Sequence, residues 1–121
     1  MNDNERTRRI IRAHLEAWKR GDVPTLMADY ADDAVMLNKQ TGPVIGKAAI
    51  AAMYQHVFAE IFKPGEINFT AEPEIVSGNF ALVHWNVTAP SFRTSGGFDT
   101  FVIRDGLIVA QAAGVEIVSL A

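Results

Sequence analysis

The apolar positions of this chain fall into two regimes. Up to about residue 63 they recur every three or four residues, as on a helix face; beyond it they alternate, as along strands. In the first regime Ile10, Ile11, His14, Leu15 and Trp18 form one stripe over residues 4–20, with Asp3 expected as N-cap and Gly21 as the residue that ends the helix. Asp22-Val23-Pro24 restarts a short helix through about Tyr30, whose inward residues are Leu26, Met27 and Tyr30. A short strand at 35–38 and an extended piece at 43–46 precede a third helix over 47–63. Its stripe is Ile50, Met53, Tyr54, Val57, Phe58 and Ile61, and Pro64-Gly65 stops it.

In the second regime, strands at 66–76 and 80–89 are joined by Ser77-Gly78-Asn79, and residues 89–97 read as a loop. A last hairpin runs from Phe98 through the tight turn Arg104-Asp105-Gly106 towards Leu120. On its first strand Asp99, Phe101 and Ile103 share one face, which sets a carboxylate among bulky apolar neighbours. Helices followed by antiparallel strands predict an α+β domain over residues 1–121, with three N-terminal helices packed on one face of a curved sheet. Such layers enclose a hollow that side chains or a ligand must fill.

Composition narrows the partners. The chain has 121 residues, 49% of them hydrophobic, and a net charge of −3, enough apolar mass for one core. Arg6, Arg8, Arg9 and Arg12 are diluted by Glu5 and Glu16, so nucleic acid is not an expected partner. Cysteine is absent, which removes disulfides and thiolate chemistry. The polar N-terminus lacks a signal-peptide core, and no apolar run approaches the roughly 18 residues of a membrane span; a cytoplasmic protein is expected. His14, His56 and His84 lack the spacing of a metal-ligand set, and no cofactor is expected. Asp32-Asp33 reads as a solvated turn, Gly96-Gly97 lacks the lysine and following helix of a phosphate loop, and Arg93 as surface charge.

Gly21-Asp22, Tyr30-Ala31-Asp32-Asp33-Ala34-Val35, Gly46-Lys47-Ala48-Ala49-Ile50 and residues 99–106 follow, in order, the pattern of SnoaL-like proteins. The chain thus resembles the nuclear transport factor 2-like superfamily, which includes ketosteroid isomerases and polyketide cyclases. The resemblance implies a cone-shaped, cystatin-like α+β fold with a curved, mainly antiparallel mixed sheet. It also implies a homodimer formed through the sheet face and a pocket between sheet and helices. Placed on the ketosteroid isomerase scheme, a carboxylate base with an oxyanion hole of a tyrosine and a protonated aspartic acid, Asp99 falls on that aspartic acid and His14 on the tyrosine. Asn38 falls on the base. An amide does not titrate, so steroid isomerisation by that route is not expected.

Alternation, helped by the family's geometry, sends Met36, Asn38, Val83, Trp85, Asp99, Phe101, Gln111 and Ala113 towards the cavity, with Trp18, Tyr30, Met53, Tyr54 and Phe58 from the helices. Trp18, Trp85, Phe58 and Phe101 also read simply as core. Asp99 and His14 are the expected catalytic pair: a shared hydrogen bond would orient the imidazole and raise its basicity. The alternative is a buried polar pair that only satisfies itself. His84 and Asn86 face the other way and suit a dimer surface. The function expected is binding of a small hydrophobic, oxygen-bearing molecule with cofactor-free isomerase- or cyclase-type acid–base chemistry, in which Asn38 and Gln111 orient substrate oxygens. The alternative is a non-catalytic ligand-binding or dimerisation domain of the same fold.

Overall fold

In the computed structural model, which describes residues 2–120, the two regimes become two layers. The helices are α1 (Asp3–Arg20), α2 (Val23–Met27) and α3 (Lys47–Glu60). The strands are β1 (Tyr30–Asn38), β2 (Gly42–Ile45), β3 (Asn68–Ala71), β4 (Ile75–Ser77), β5 (Phe80–Thr88), β6 (Phe92–Arg104) and β7 (Leu107–Ser119). They form one curved, unclosed sheet in the order β2-β1-β7-β6-β5-β3, with β4 also on β5. Every pairing is antiparallel except β1 with β7. The expected domain over 1–121 includes Met1 and Ala121, which lie outside the described residues.

Helix α1 buries Thr7, Ile11, His14 and Ala17. Its N-cap is Asn2, whose side chain accepts from the Glu5 N–H, and not Asp3, which is already helical and pairs with Arg6 at 2.9 Å. Gly21 ends it at φ 64°, where a Cβ would lie 2.4 Å from Pro64 Cγ. The Thr7 hydroxyl donates to the Gly78 carbonyl and the Asn4 side chain accepts from the Gly78 N–H, both at 2.7 Å, which fixes α1 over the β4–β5 turn.

Four boundaries differ from the sequence pattern, two because pairing in the sheet overrides local preference and two because a proline interrupts the element. Tyr30 opens β1 and does not close α2: the Asp29 carbonyl accepts from the Ile108 N–H and Tyr30 pairs with Ile108. Helix α3 stops at Glu60, since Pro64 disfavours helical geometry just before it. The strand expected at 66–76 breaks at Glu72-Pro73-Glu74, where proline has no N–H for the ladder. The loop expected at 89–97 is mostly strand: β6 starts at Phe92, and Gly96-Gly97 marks a bulge where its register shifts against β7. The last hairpin turn is as expected, with Asp105 and Gly106 at φ 52° and 78°.

Strand β5 alternates cleanly, with Ala81, Val83, Trp85 and Val87 buried and Phe80, His84 and Asn86 exposed. Under the helices, Ile11, Leu26, Ile50, Val83, Phe101 and Ile108 are fully buried. Trp18 gathers Phe58, Phe62, Phe69 and Trp85 at ring separations of 5.0–5.7 Å. Trp85 can lie flat against the sheet because Gly97 is opposite it: a Cβ there would sit 2.2 Å from the Trp85 carbonyl oxygen and 3.0 Å from Cδ2 of the indole. We predict that Gly97→Ala lowers stability by about 2 kcal/mol or more, because backbone must move to admit the methyl. A urea midpoint equal to that of the parent protein would contradict this contact.

Candidate functional site

A cavity of about 180 Å³ lies between the helices and the concave face of the sheet. Strands β1, β5, β6 and β7 supply Met36, Asn38, Trp85, Asp99, Gln111 and Ala113. Trp18 comes from α1, and Met53 and Tyr54 from α3. These nine are sequence-predicted site residues, and the fold brings them together. The other five, His14, Tyr30, Phe58, Val83 and Phe101, are buried behind the wall and not on it. The side-chain period of a strand or helix gives the face a residue occupies and not its depth along that face.

The polar part of the wall is one hydrogen-bonded set. The Tyr30 hydroxyl donates to Gln111 Oε1 at 2.5 Å and lies 2.8 Å from the Tyr54 hydroxyl. Gln111 Nε2 donates to Asp99 Oδ1 at 2.9 Å and, more weakly, to the Tyr54 oxygen at 3.4 Å. Proton bookkeeping then fixes every direction. Tyr30 spends its only proton on Gln111, so Tyr54 donates to Tyr30 and is itself the acceptor for Gln111. Burial raises both phenols above their usual range, Tyr30 aided next by its neighbour Tyr54 and Tyr54 by the charge of Asp99, so both keep the protons this order requires.

Asp99 is pushed up to about 7. Burial is the main cause; the Gln111 hydrogen bond opposes it by favouring the charged form, and so does the nearby Trp85 indole N–H, which approaches Asp99 without completing a hydrogen bond. Among the described residues Asp99 makes no ion pair, so nothing cationic offsets its desolvation. A carboxyl titrating there is suited to both giving and taking a proton near neutrality.

The hydrogen bonds bear on three of the expected roles. No hydrogen bond joins His14 to Asp99. The His14 ring is wedged edge-on against Phe101, Tyr30 and Tyr54, and its Nδ1 is buried without a hydrogen-bond partner, 3.7 Å from Asp29 Oδ2. That distance is too long for a hydrogen bond. Both ends of the Gln111 amide are engaged by Tyr30, Tyr54 and Asp99, which leaves a second lone pair of its Oε1 as the group free to meet a ligand. The Asn38 oxygen accepts from the Gln40 N–H at 2.9 Å, a local turn contact that leaves its NH₂ and one lone pair of the oxygen for a ligand.

The mouth adds residues that sequence reasoning missed, among them Gln40, Thr41, Ile117 and the exposed His56. His56 lies two residues beyond Tyr54 on α3, at the edge of the apolar stripe, and that edge position was its only signal. On the other face, Asn86 holds the bulge through Thr94 and Gly97, and His84 lies 3.7 Å from Glu72. Among the described residues no group of three or more His, Cys, Asp or Glu is placed to hold a metal, and no helix is long and apolar enough to cross a membrane.

Residues 11–111 match the SnoaL-like domain family. No curated protein matches the chain. Among solved structures it is similar to a candidate ketosteroid isomerase from Kribbella flavida, with 23% identity and a TM-score of 0.79 over 95% of this chain and 81% of that one. A candidate polyketide cyclase from Xanthomonas campestris pv. campestris shares 20% identity and a TM-score of 0.71 over 93% and 92%. An LEH-like epoxide hydrolase of M. tuberculosis shares 19% identity and a TM-score of 0.72 over 93% and 84%. At these identities the likeness is one of fold.

A raised carboxyl costs stability in a defined pH window. Between the ordinary value of 3.8 and about 7, the folded chain holds a proton on Asp99 that the unfolded chain has released, so stability falls as pH rises and levels off above about 7. Asp99→Asn lacks this loss. The variant's urea midpoint is therefore expected to gain on the parent's from pH 4 to 7 and to run parallel above; parallel curves throughout would contradict a raised Asp99.

Proposed function

This chain belongs to the SnoaL-like domain family, and from that premise we propose that its cavity takes a small, mostly apolar, oxygen-bearing molecule and moves a proton on it through Asp99, without a cofactor. The observation that carries this reading is a lone carboxyl, pushed up to about 7, in the wall of an otherwise mainly apolar cavity. Ionised Asp99 takes a proton from carbon next to a carbonyl, and the neutral acid returns it to another carbon of the same substrate. One carboxyl serves both steps because Asn38 does not titrate. The result is an isomerase- or cyclase-type reaction.

Size limits the substrate. About 180 Å³ is little more than the roughly 150 Å³ of a protein cavity that holds benzene. The enclosed part therefore fits one ring, with any further substituent leaving past Gln40, Thr41 and His56; a fused four-ring steroid exceeds it.

A second reading, a ligand-binding domain without catalysis, is favoured by Asn38 and by the engagement of both ends of the Gln111 amide within the wall. The two separate in one experiment. With 3-cyclohexen-1-one in D₂O, we expect the protein to catalyse exchange at the carbon between carbonyl and alkene and conversion to the conjugated enone, with a pH inflection near 7. Asp99→Asn should slow this at least about 100-fold. Equal rates for both proteins would contradict the catalytic reading, and binding of the ketone by both without exchange would favour the second.

The outer sheet face supports the proposed homodimer. Phe80, Val102, Ala110, Val35 and Ile45 are register partners in one row across five strands, and Phe80, Val102, Ile45 and the nearby Leu37 are exposed. Val102→Lys is expected to convert a dimer to a monomer in sedimentation velocity; an unchanged dimer would place the interface elsewhere.

A further inference from the structure

The Trp85 indole N–H is not used by the reaction proposed above. It is a buried donor without a hydrogen-bond partner, on a residue only 8% exposed. An orphaned buried N–H costs stability, so its surroundings bear on what it does. Trp85 pairs with Gly97 and Val83 pairs with Asp99 across β5 and β6. Trp85 and Asp99 are thus diagonal neighbours on the cavity face, about 7–8 Å apart along the backbone and within reach of an indole. The missing side chain at Gly97 lets the ring lie across β6, with Cδ2 only 3.0 Å from where a Cβ would be. Trp18, Phe62 and Phe69 hold the ring from the other side at 5.7–5.9 Å.

The groups that face Asp99 come from every element around the cavity. Strand β7 gives Gln111, already bonded to Oδ1. Helix α3 gives Tyr54 and, at the mouth, His56; Tyr30 of β1 and His14 of α1 lie behind Tyr54, with Asp29 beyond His14. Strand β1 adds the neutral Met36 and Asn38. No described cation pairs with the carboxyl, and the buried donor beside it that lacks a partner is the indole.

We infer that Trp85 is a positioning residue for Asp99: its N–H closes onto the carboxylate when Asp99 gives up its proton and stands open when the carboxyl is neutral. Burial disfavours the charged form, and Gln111 with Trp85 forms the pair of donors that offsets it. The inference deepens the reading of Asp99 as the proton carrier, but its test follows the N–H and not turnover. The two therefore fail separately.

The chain has two tryptophans, Trp18 and Trp85, so two indole N–H signals are expected in a proton–nitrogen NMR spectrum; the one lost in Trp85→Phe is that of Trp85. In the unmodified protein this proton is expected to move downfield as pH rises through the titration of Asp99, and to stay still in Asp99→Asn. A signal that never moves would overturn the inference. So would one that still titrates in Asp99→Asn, because it would then report His56 or His14. In Trp85→Phe, Asp99 is expected to become about tenfold weaker as an acid, a midpoint about one pH unit higher; an unchanged midpoint would also overturn it. If Trp85→Phe does not fold, Trp18→Phe assigns the signal and the two NMR titrations decide alone.

Discussion

Gln111 is where the sheet and its helical roof share one hydrogen-bond system. Its amide takes the proton of Tyr30 from β1, leans on Tyr54 from α3 and donates across the ladder from β7 to Asp99 on β6. A buried glutamine is stable only if both ends are satisfied, and here each end has a partner with a forced direction. The order depends on two protonated phenols, and burial keeps them so. Removing the amide would leave two hydroxyls and a carboxyl to find partners in an apolar cavity, which makes Gln111 structurally costly to lose although it does not itself react.

The same system accounts for the electrostatics. Neutral donors approach Asp99 from two strands, and none carries a charge. They moderate the effect of burial without cancelling it, which is how a carboxyl comes to titrate near neutrality; a lysine or arginine in the place of either donor would hold it ionised. Gly97 contributes by absence, since any side chain there would lift the indole off the sheet.

Much of this was legible in the sequence. The change from a three-to-four residue period to alternation fixed the α+β class, and alternation put Asp99, Trp85 and Gln111 on the cavity face. What pattern does not carry is partner choice. His14 sits in the apolar stripe of α1, but the carboxylate it approaches, Asp29, lies at the α2–β1 junction, where local preference alone predicts continued helix. Tyr30 was misplaced for the same reason, because only pairing with Ile108 draws it into the sheet. Gly96-Gly97 has loop composition but serves a bulge inside a long strand, a distinction that β7 makes and the local sequence does not.

All of these features converge on the charge state of one carboxyl. A carbon-13 NMR titration of the Asp99 side chain in the intact protein measures it directly. We predict a midpoint near 7, set by burial and moderated by Gln111 and Trp85. A midpoint at the ordinary value near 3.8 would contradict it, because Asp99 would then be a solvated carboxylate with no poise for proton transfer near neutral pH.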